Sequence, residues 1–527
     1  MNKLFKYGSV LLLLVVAVTG CKKLDLFPPR SVTSEQLYTN EAGYIQVLAK
    51  VYGSMALTGN AGPAGSGDVA GIDEGTSDFL RLFWKAQELS TDEAVVAWND
   101  PGIQDFHNMN WSANNPMLIG LYSRCFYVIT LCNEFIREST DEKLASRAIT
   151  GSAADNIRRM ALEARFVRSF QYWVLMDLFG NPGFVNEETP IGASAKPLQI
   201  TRAELFNYIT GELKAIEPSM ADARSNPYGR ADKGAVWALL ARIYLNSQVY
   251  SGVANWNDAI LYSKKVIQAG YTLIPDYKQL MLADNNKNNT EFIWTLNYDG
   301  LSTKNFGGTT FLVNASVGGN MDVAFSGLTN WSGIRSTKSL PLLFPDFNGT
   351  ADKRAQFFQH NIEIENQSEF KDGFGVTKYR NRTQAGGFGK DPDRTFSDID
   401  FPVFRLAEMY LIFAEAVKRS GVDGNLIEAT TYFNTLRQRA YGNTNGNISS
   451  ASLTLDLILD ERGRELYWEA FRRTDLIRYN RFTDASYLWP WKGGVKNGTG
   501  VATYLRLYPI PATEVGANPN IKQNPNY

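Results

Sequence analysis

Apolar positions recur every three or four residues in a series of runs between residues 33 and 270, each closed by a polar or glycine-containing break. That period marks helices with one buried face. It predicts helices over 33–55, 117–138, 154–179, 201–220, 232–248 and 256–269. Thr33-x-x-Gln36 and Thr201-x-x-Glu204 are capping boxes, whose side chains satisfy the first free amides of a helix. Gly180-Asn181-Pro182-Gly183 ends the 154–179 helix, since glycine takes the terminal turn and proline cannot continue it. Residues 58–75 are glycine-rich and read as loop, and 92–111 is irregular around the turn Asn99-Asp100-Pro101-Gly102. Ala235, Ala238, Ala241 and Ala259 sit at packing positions. They suggest tetratricopeptide-like helix pairs, although the repeat is too degenerate to give a fixed period.

From about 278 to 400 the helical period disappears, apolar runs shorten, and Gly, Asn, Ser, Thr and Asp rise. Loops this long in a compact chain are usually functional. Helical spacing returns at 401–420, 427–441 and 453–479. No clean linker separates these blocks. The expected fold is therefore mainly α, one domain over 21–527. Helix pairs over about 33–270 and 401–481 form a scaffold, packed against a loop-rich half over about 278–400 with short strands.

The first twenty residues read differently. Lys3 and Lys6 precede an apolar run, 10–18, that ends in Thr19-Gly20-Cys21. The run is too short to span a bilayer and fits a secretory signal. Small residues ahead of Cys21 look like a lipoprotein cleavage site; the alternative is an ordinary signal cleavage with an incidental cysteine. Residues 22–29, with Pro28-Pro29, read as a tether.

Composition narrows the chemistry. The 527 residues carry a formal charge of -1, which gives no electrostatic footprint for nucleic acid. Only two histidines are present, His107 and His360, so a multi-histidine metal site is excluded. Cys125 and Cys132 lie seven positions apart in one helical run. That spacing is about 10.5 Å of helix rise, beyond the roughly 7 Å limit for a disulfide, and both are expected to be buried thiols. Aromatics make up 13% of the chain, enough to supply recognition surfaces as well as core.

The most distinctive stretch is 459–481, LDERGRELYWEAFRRTDLIRYNR. Leu459, Leu466, Ala470 and Ile477 fall on one stripe of a helix. Glu469 can reach Arg472 and Arg473 at helical spacing. Tyr467, Trp468, Phe471 and Tyr479 among the charges suggest a helix clamped on several sides, with a structural rather than a catalytic role.

The wording of this stretch, Glu461-Arg462, Arg464-Glu465-Leu466, Glu469, Arg472-Arg473 and Asp475-Leu476-Ile477-Arg478, resembles the C-terminal signature of the SusD/RagB family of outer-surface glycan-binding lipoproteins. Three further blocks agree in order: Arg405-Leu406-Ala407-Glu408-Met409-Tyr410-Leu411 with Ala414-Glu415-Ala416; Asn434-Thr435-Leu436-Arg437-Gln438-Arg439-Ala440; and Leu507-Tyr508-Pro509-Ile510-Pro511 with Glu514, Asn518-Pro519-Asn520 and Gln523-Asn524-Pro525-Asn526-Tyr527. The resemblance implies acylation of Cys21, a place at the outer membrane, and a TonB-dependent SusC-like transporter as partner. More than one acyl chain would make such an anchor stable.

Sugar recognition needs flat aromatic faces for pyranose C–H groups and polar groups for the hydroxyls. Three loop segments supply both: 71–75 with Arg81 and Trp98-Asn99-Asp100, 304–310, and 329–332. They look most like the starch-binding member of the family, as do Gly229-Arg230-Ala231-Asp232-Lys233 and Trp491-Lys492-Gly493-Gly494. Carried over, the resemblance implies that Trp98, Phe306 and Trp331 form an aromatic arc for a helical α-glucan. Arg81 would donate to hydroxyls and Asp73 would accept, with Asn99 or Asp100 supplying the polar group at the end. The chain departs from that pattern at Phe306, where the relative has Tyr, at Val96, where it has a second Trp, and at Pro101, where it has Asn.

Asp284, Asn286 and Asn288 alternate as hard oxygen ligands do in calcium loops. The segment lacks the loop glycine and the full acidic set, so a polar turn is the competing reading. No cofactor is required, and a structural calcium ion there is the one candidate. The expected function is non-catalytic binding of starch-like glucans at the cell surface. Another glycan is one alternative. A secreted glycoside hydrolase is another; it needs two carboxylates roughly 5–9.5 Å apart, and no constellation in the sequence supports one. A pure protein-interaction scaffold is the third reading.

Overall fold

The computed structural model describes residues 33–527 apart from 64, 193–195 and 422–424. The signal segment and Cys21 lie outside the described residues. Both capping boxes form as expected, Thr33 with Gln36 and Thr201 with Glu204. The helices Glu41–Gly53, Pro116–Glu138, Gly151–Leu178, Arg202–Ile216, Lys233–Leu245 and Trp256–Ile267 match the periodic runs. Pro116–Glu138 packs on Gly151–Leu178, which packs in turn on Arg202–Ile216. Lys233–Leu245 packs on Trp256–Ile267, and that helix packs on Leu406–Ser420, which also contacts Leu426–Tyr441 and Leu455–Leu466. The helices after residue 400 thus continue the array begun before 270. Cys125 and Cys132 are buried free thiols.

The loop-rich half leaves and rejoins the array at one place. Strand Phe292–Leu296 pairs antiparallel with Phe401–Arg405, and all ten residues are buried. This corrects the start of the 401–420 helix: its first five residues are strand, and the helix begins at Leu406. The half is also not free of helix, since Gly308–Ala315 is a buried α-helix. Phe79–Glu88 is a further helix, missed although Phe79, Leu82, Phe83 and Ala86 hold helical spacing, and nine of its ten residues are buried.

The 453–479 helix is interrupted. Leu455–Leu466 and Arg472–Arg478 are separate helices. Between them Trp468 and Ala470 take left-handed backbone angles, φ 63° and 65°, which helical L-residues avoid. The break turns Trp468 into the core, where its indole donates to the Glu93 carbonyl at 3.2 Å and its own carbonyl accepts from Trp84 Nε1 at 3.0 Å. Glu469 therefore pairs with Arg405 at 2.7 Å and Lys378 at 2.6 Å, not with the neighbouring Arg472 and Arg473.

Around that break lies a buried ionic lattice. Arg405 Nη1 also donates to Glu291 and Glu465 at 2.9 and 2.7 Å. Arg439 reaches the same two carboxylates. Arg354 joins Asp352, Glu461 and Glu465 at 2.7, 2.8 and 3.1 Å. Arg472 holds Asp92 through two bonds, and Arg478 holds Glu415 through two more. Burial alone would raise the carboxyl pKa values. Arg354, Arg464 and Arg437 instead pull Glu461 down to about 2, and Arg478, Arg419 and Arg462 do the same for Glu415. Charges buried this deeply persist only when paired, so the role of the signature stretch is structural.

Candidate functional site

Asp78 fixes the geometry of the site. Its Oδ1 accepts from the Arg81 amide at 2.7 Å, capping the Phe79–Glu88 helix, and from the Gly308 amide at 2.8 Å at the start of Gly308–Ala315. One carboxylate oxygen thus ties two helix starts together. The loops they carry are held in contact: Arg81 Nη1 donates to the Phe306 carbonyl at 2.9 Å. A Cβ on Gly75 would come within 2.6 Å of Phe306 Cβ, so only glycine lets the two loops approach this closely.

The third loop is set by the Gly308–Ala315 helix. Asn314 accepts from the Trp331 amide through its carbonyl at 2.8 Å and from Thr329 Oγ1 through its side chain at 2.7 Å. Trp98 Nε1 then donates to the Trp331 carbonyl at 3.1 Å. Beside it Gly333 leaves space for the indole, into which any Cβ would collide.

Three sequence-distant aromatics are thereby brought together. Trp98 and Trp331 have ring centroids 6.4 Å apart with planes turned by 42°. Trp331 and Phe306 follow at 6.3 Å and 52°. All three rings are half-buried, anchored on one side and open on the other. Successive tilts of this size suit a curved ligand better than a flat one. Two aromatics that the sequence reading omitted support the row. Phe311, buried, lies 6.1 Å from Trp98 beneath it, and Phe396 packs 5.3 Å from Phe306. Phe311 was hidden with the unrecognised 308–315 helix. The Asp78 cap was legible as an N-cap before an apolar run.

The polar residues divide. Asp73, Asn99 and Asp100 are exposed near the aromatics. Asp73 Oδ1 accepts from the Thr76 amide at 2.9 Å. Arg81 is mostly a strut. Its guanidinium lies 4.8 Å from the Phe311 ring centroid and 5.9 Å from that of Trp98, and one terminal nitrogen is spent on Phe306. Burial pulls its pKa to about 10, against the carboxylates of Asp73, Asp78 and Asp100, and it stays charged. Burial, with Asp73 and Asp78 close by, pushes Glu74 up to about 7.

Two of the three calcium candidates hold other partners. Asp284 Oδ1 accepts from the Gln384 amide at 2.9 Å, Asn286 bonds to Asp400, and Asn288 occupies a left-handed turn position, φ 54°. Glu291, the following carboxylate, is taken by Arg405 and Arg439. Among the described residues no group of three or more His, Cys, Asp or Glu side chains is placed to hold a metal ion.

A SusD family model matches residues 352–527, the part that supplies most of the ionic lattice. Over 99% of its length the chain is 33% identical to the starch-binding protein SusD of Bacteroides thetaiotaomicron, of which it covers 98%. Among solved structures, a SusD homolog from Bacteroides thetaiotaomicron superposes with a TM-score of 0.74 at 17% identity, covering 94% of this chain and 99% of that one. Surface glycan-binding protein A from Bacteroides fluxus gives 0.70 at 20% identity, covering 92% and 99%. The motifs, the helical array with its loop-rich half and the near full-length identity agree, and the chain belongs to the SusD family.

Proposed function

We propose that the protein captures starch-like α-glucans on the aromatic row of Trp98, Trp331 and Phe306, without turning them over. The observation that carries this reading is the convergence of three rings from separate loops, each half-open and each held by main-chain hydrogen bonds. The starch-binding activity in the name of the 33%-identical relative supports the choice of glucan. Asp73 accepts from sugar hydroxyls, Asn99 and Asp100 serve the far end of the row, and Arg81 positions Phe306. An open surface of this kind buries little ligand, so single-chain affinity falls roughly between micromolar and millimolar. Long glucans gain by avidity. In the cell the chain is held at the outer membrane through acylated Cys21 and passes its oligosaccharide to a TonB-dependent SusC-like transporter.

Native affinity electrophoresis of residues 22–527 in gels with and without amylopectin tests this. Retardation that disappears in Trp98→Ala and Trp331→Ala supports the reading. Retardation that survives both moves the binding surface elsewhere. Absence of retardation removes starch as the ligand, and release of reducing ends from amylopectin would reveal a hydrolase.

A further inference from the structure

A second cleft, of about 650 Å³, opens between the 276–282 segment, the short helix Val323–Ser326 and the 380–386 loop. Its volume lies in the range of small-ligand sites. Three hydrogen bonds make it rigid: the Asn381 amide to the Ser326 carbonyl at 2.6 Å, Arg382 Nη1 to the Ala324 carbonyl at 3.1 Å, and the Arg380 amide to the Met281 carbonyl at 3.0 Å. Gly327, φ 83°, permits the first of these, since a Cβ there would strike the Asn381 carbonyl.

The lining is unusual for a solvent-filled crevice. Phe325 is 45% exposed at its edge, and the Arg380 guanidinium lies over its ring at 4.9 Å. Arg380 Nε is buried and has no hydrogen-bond partner, and the nearest acceptor of its Nη2, the Lys278 carbonyl, is a marginal 3.5 Å away. A terminal nitrogen held this loosely is free to donate to a ligand oxygen. Gln279 and Gln384 add amides, while Asp276 and Asp322 place carboxylates on the same walls. Donors and acceptors both line the cleft beside the Phe325 ring. Lys278, Arg380 and Arg382 line the cleft beside the two carboxylates, and a neutral polyol can use both kinds of group.

We infer that this cleft is a second contact site for a neutral glycan, with Phe325 as its stacking face and Arg380 as its hydroxyl donor. The inference rests on the glycan-binding reading above. Phe325 and Trp331 are six positions apart, so their Cα atoms lie within about 20 Å, and one long glucan can engage both sites. Its effective local concentration at the second site is then about millimolar, enough to exploit a weak contact.

The test compares wild type, Phe325→Ala, Arg380→Gln and Trp331→Ala in affinity gels cast with amylopectin or another neutral polysaccharide, and by calorimetry with maltotriose. Phe325 is exposed enough that its removal leaves the core intact; circular dichroism checks each variant. The expected result is at least about tenfold weaker retention of Phe325→Ala and Arg380→Gln on polysaccharide, with maltotriose affinity unchanged, while Trp331→Ala loses both. Unchanged polysaccharide retention in Phe325→Ala and Arg380→Gln, with loss in Trp331→Ala, overturns the second site alone. Failure of wild type to be retained by any neutral polysaccharide overturns both readings.

Discussion

The indole Nε1 of Trp98 donates to the backbone carbonyl of Trp331 at 3.1 Å across 233 residues of sequence. The main chain of one loop thereby sets the ring of another. Ring spacing in the row is fixed before any ligand arrives, and little ordering remains to oppose binding.

That relationship predicts a selective lesion at Gly333. A methyl group there would collide with the Trp98 indole, and because Trp98 is half-open, the ring can yield outward without unfolding the core. Gly333→Ala is expected to keep the wild-type melting temperature within a few degrees, to shift tryptophan fluorescence, and to lose most glucan retention. Melting by differential scanning fluorimetry beside the affinity gel checks this.

Phe306 offers the opposite change. Its ring keeps the stacking face but presents no hydroxyl. Phe306→Tyr adds a group that can bond to sugar, a gain of about 0.5–1.5 kcal/mol, so calorimetry should read tighter binding by several-fold. Phe306→Ala should weaken it by about 1–3 kcal/mol, by analogy with base stacking on aromatics.

Removing Arg405 would leave Glu291, Glu465 and Glu469 facing one another in the core, with Arg439, Arg354 and Lys378 as partial compensation. Breaking one side of such a buried set costs about 3–5 kcal/mol. Arg405→Met is therefore expected to lower the urea midpoint sharply or to prevent folding, while Arg158→Met, at an exposed pair, changes little. Chemical denaturation distinguishes the two.

Acid and base should both destabilise the protein, for different groups. Glu415 and Glu461, near 2 in the folded state, are depressed below the ordinary value. The unfolded chain binds more protons between about pH 2 and 4.5, so stability falls as pH drops through that window. Glu74 and Glu93, raised to about 7 by burial, and Asp232 and Asp400, raised to about 6 by burial, act in the opposite sense. The folded chain holds those protons longer, so stability falls as pH rises from about 4 to 7. Melting temperature against pH should peak near about pH 4, and Glu93→Gln should flatten the fall above it.

Much of the scaffold was legible because its helices bury one face and expose the other, as in Arg202–Ile216, where the capping box and the period both speak. Phe79–Glu88 went unread although Asp78 caps it and Phe79, Leu82, Phe83 and Ala86 hold helical spacing; it lies between two irregular stretches and is only ten residues long. The break at Trp468 was invisible for another reason. The stripe Leu459, Leu466, Ala470 and Ile477 runs through it without a flaw, and the partners that Glu469 meets at the break, Arg405 and Lys378, are far away in sequence. The aromatic row was legible only through resemblance, because periodicity cannot say that Trp98, Phe306 and Trp331 meet. The part given to Arg81 shows the same limit. Its identity suggested contact with ligand, and its hydrogen bond to the Phe306 carbonyl is a matter of tertiary structure.

The turn at Tyr467–Phe471 also ties the interior to the end of the chain. Trp84, Glu93, Glu291, Lys378 and Arg405 all meet atoms from Leu466–Glu469, or stand one ion pair removed from them. A chain that stops short of residue 469 lacks these partners: Arg405 and Lys378 are left without Glu469, and Trp84 and Glu93 without the main chain of Trp468. The last sixty residues are therefore part of the interior and not an appendage to a finished fold.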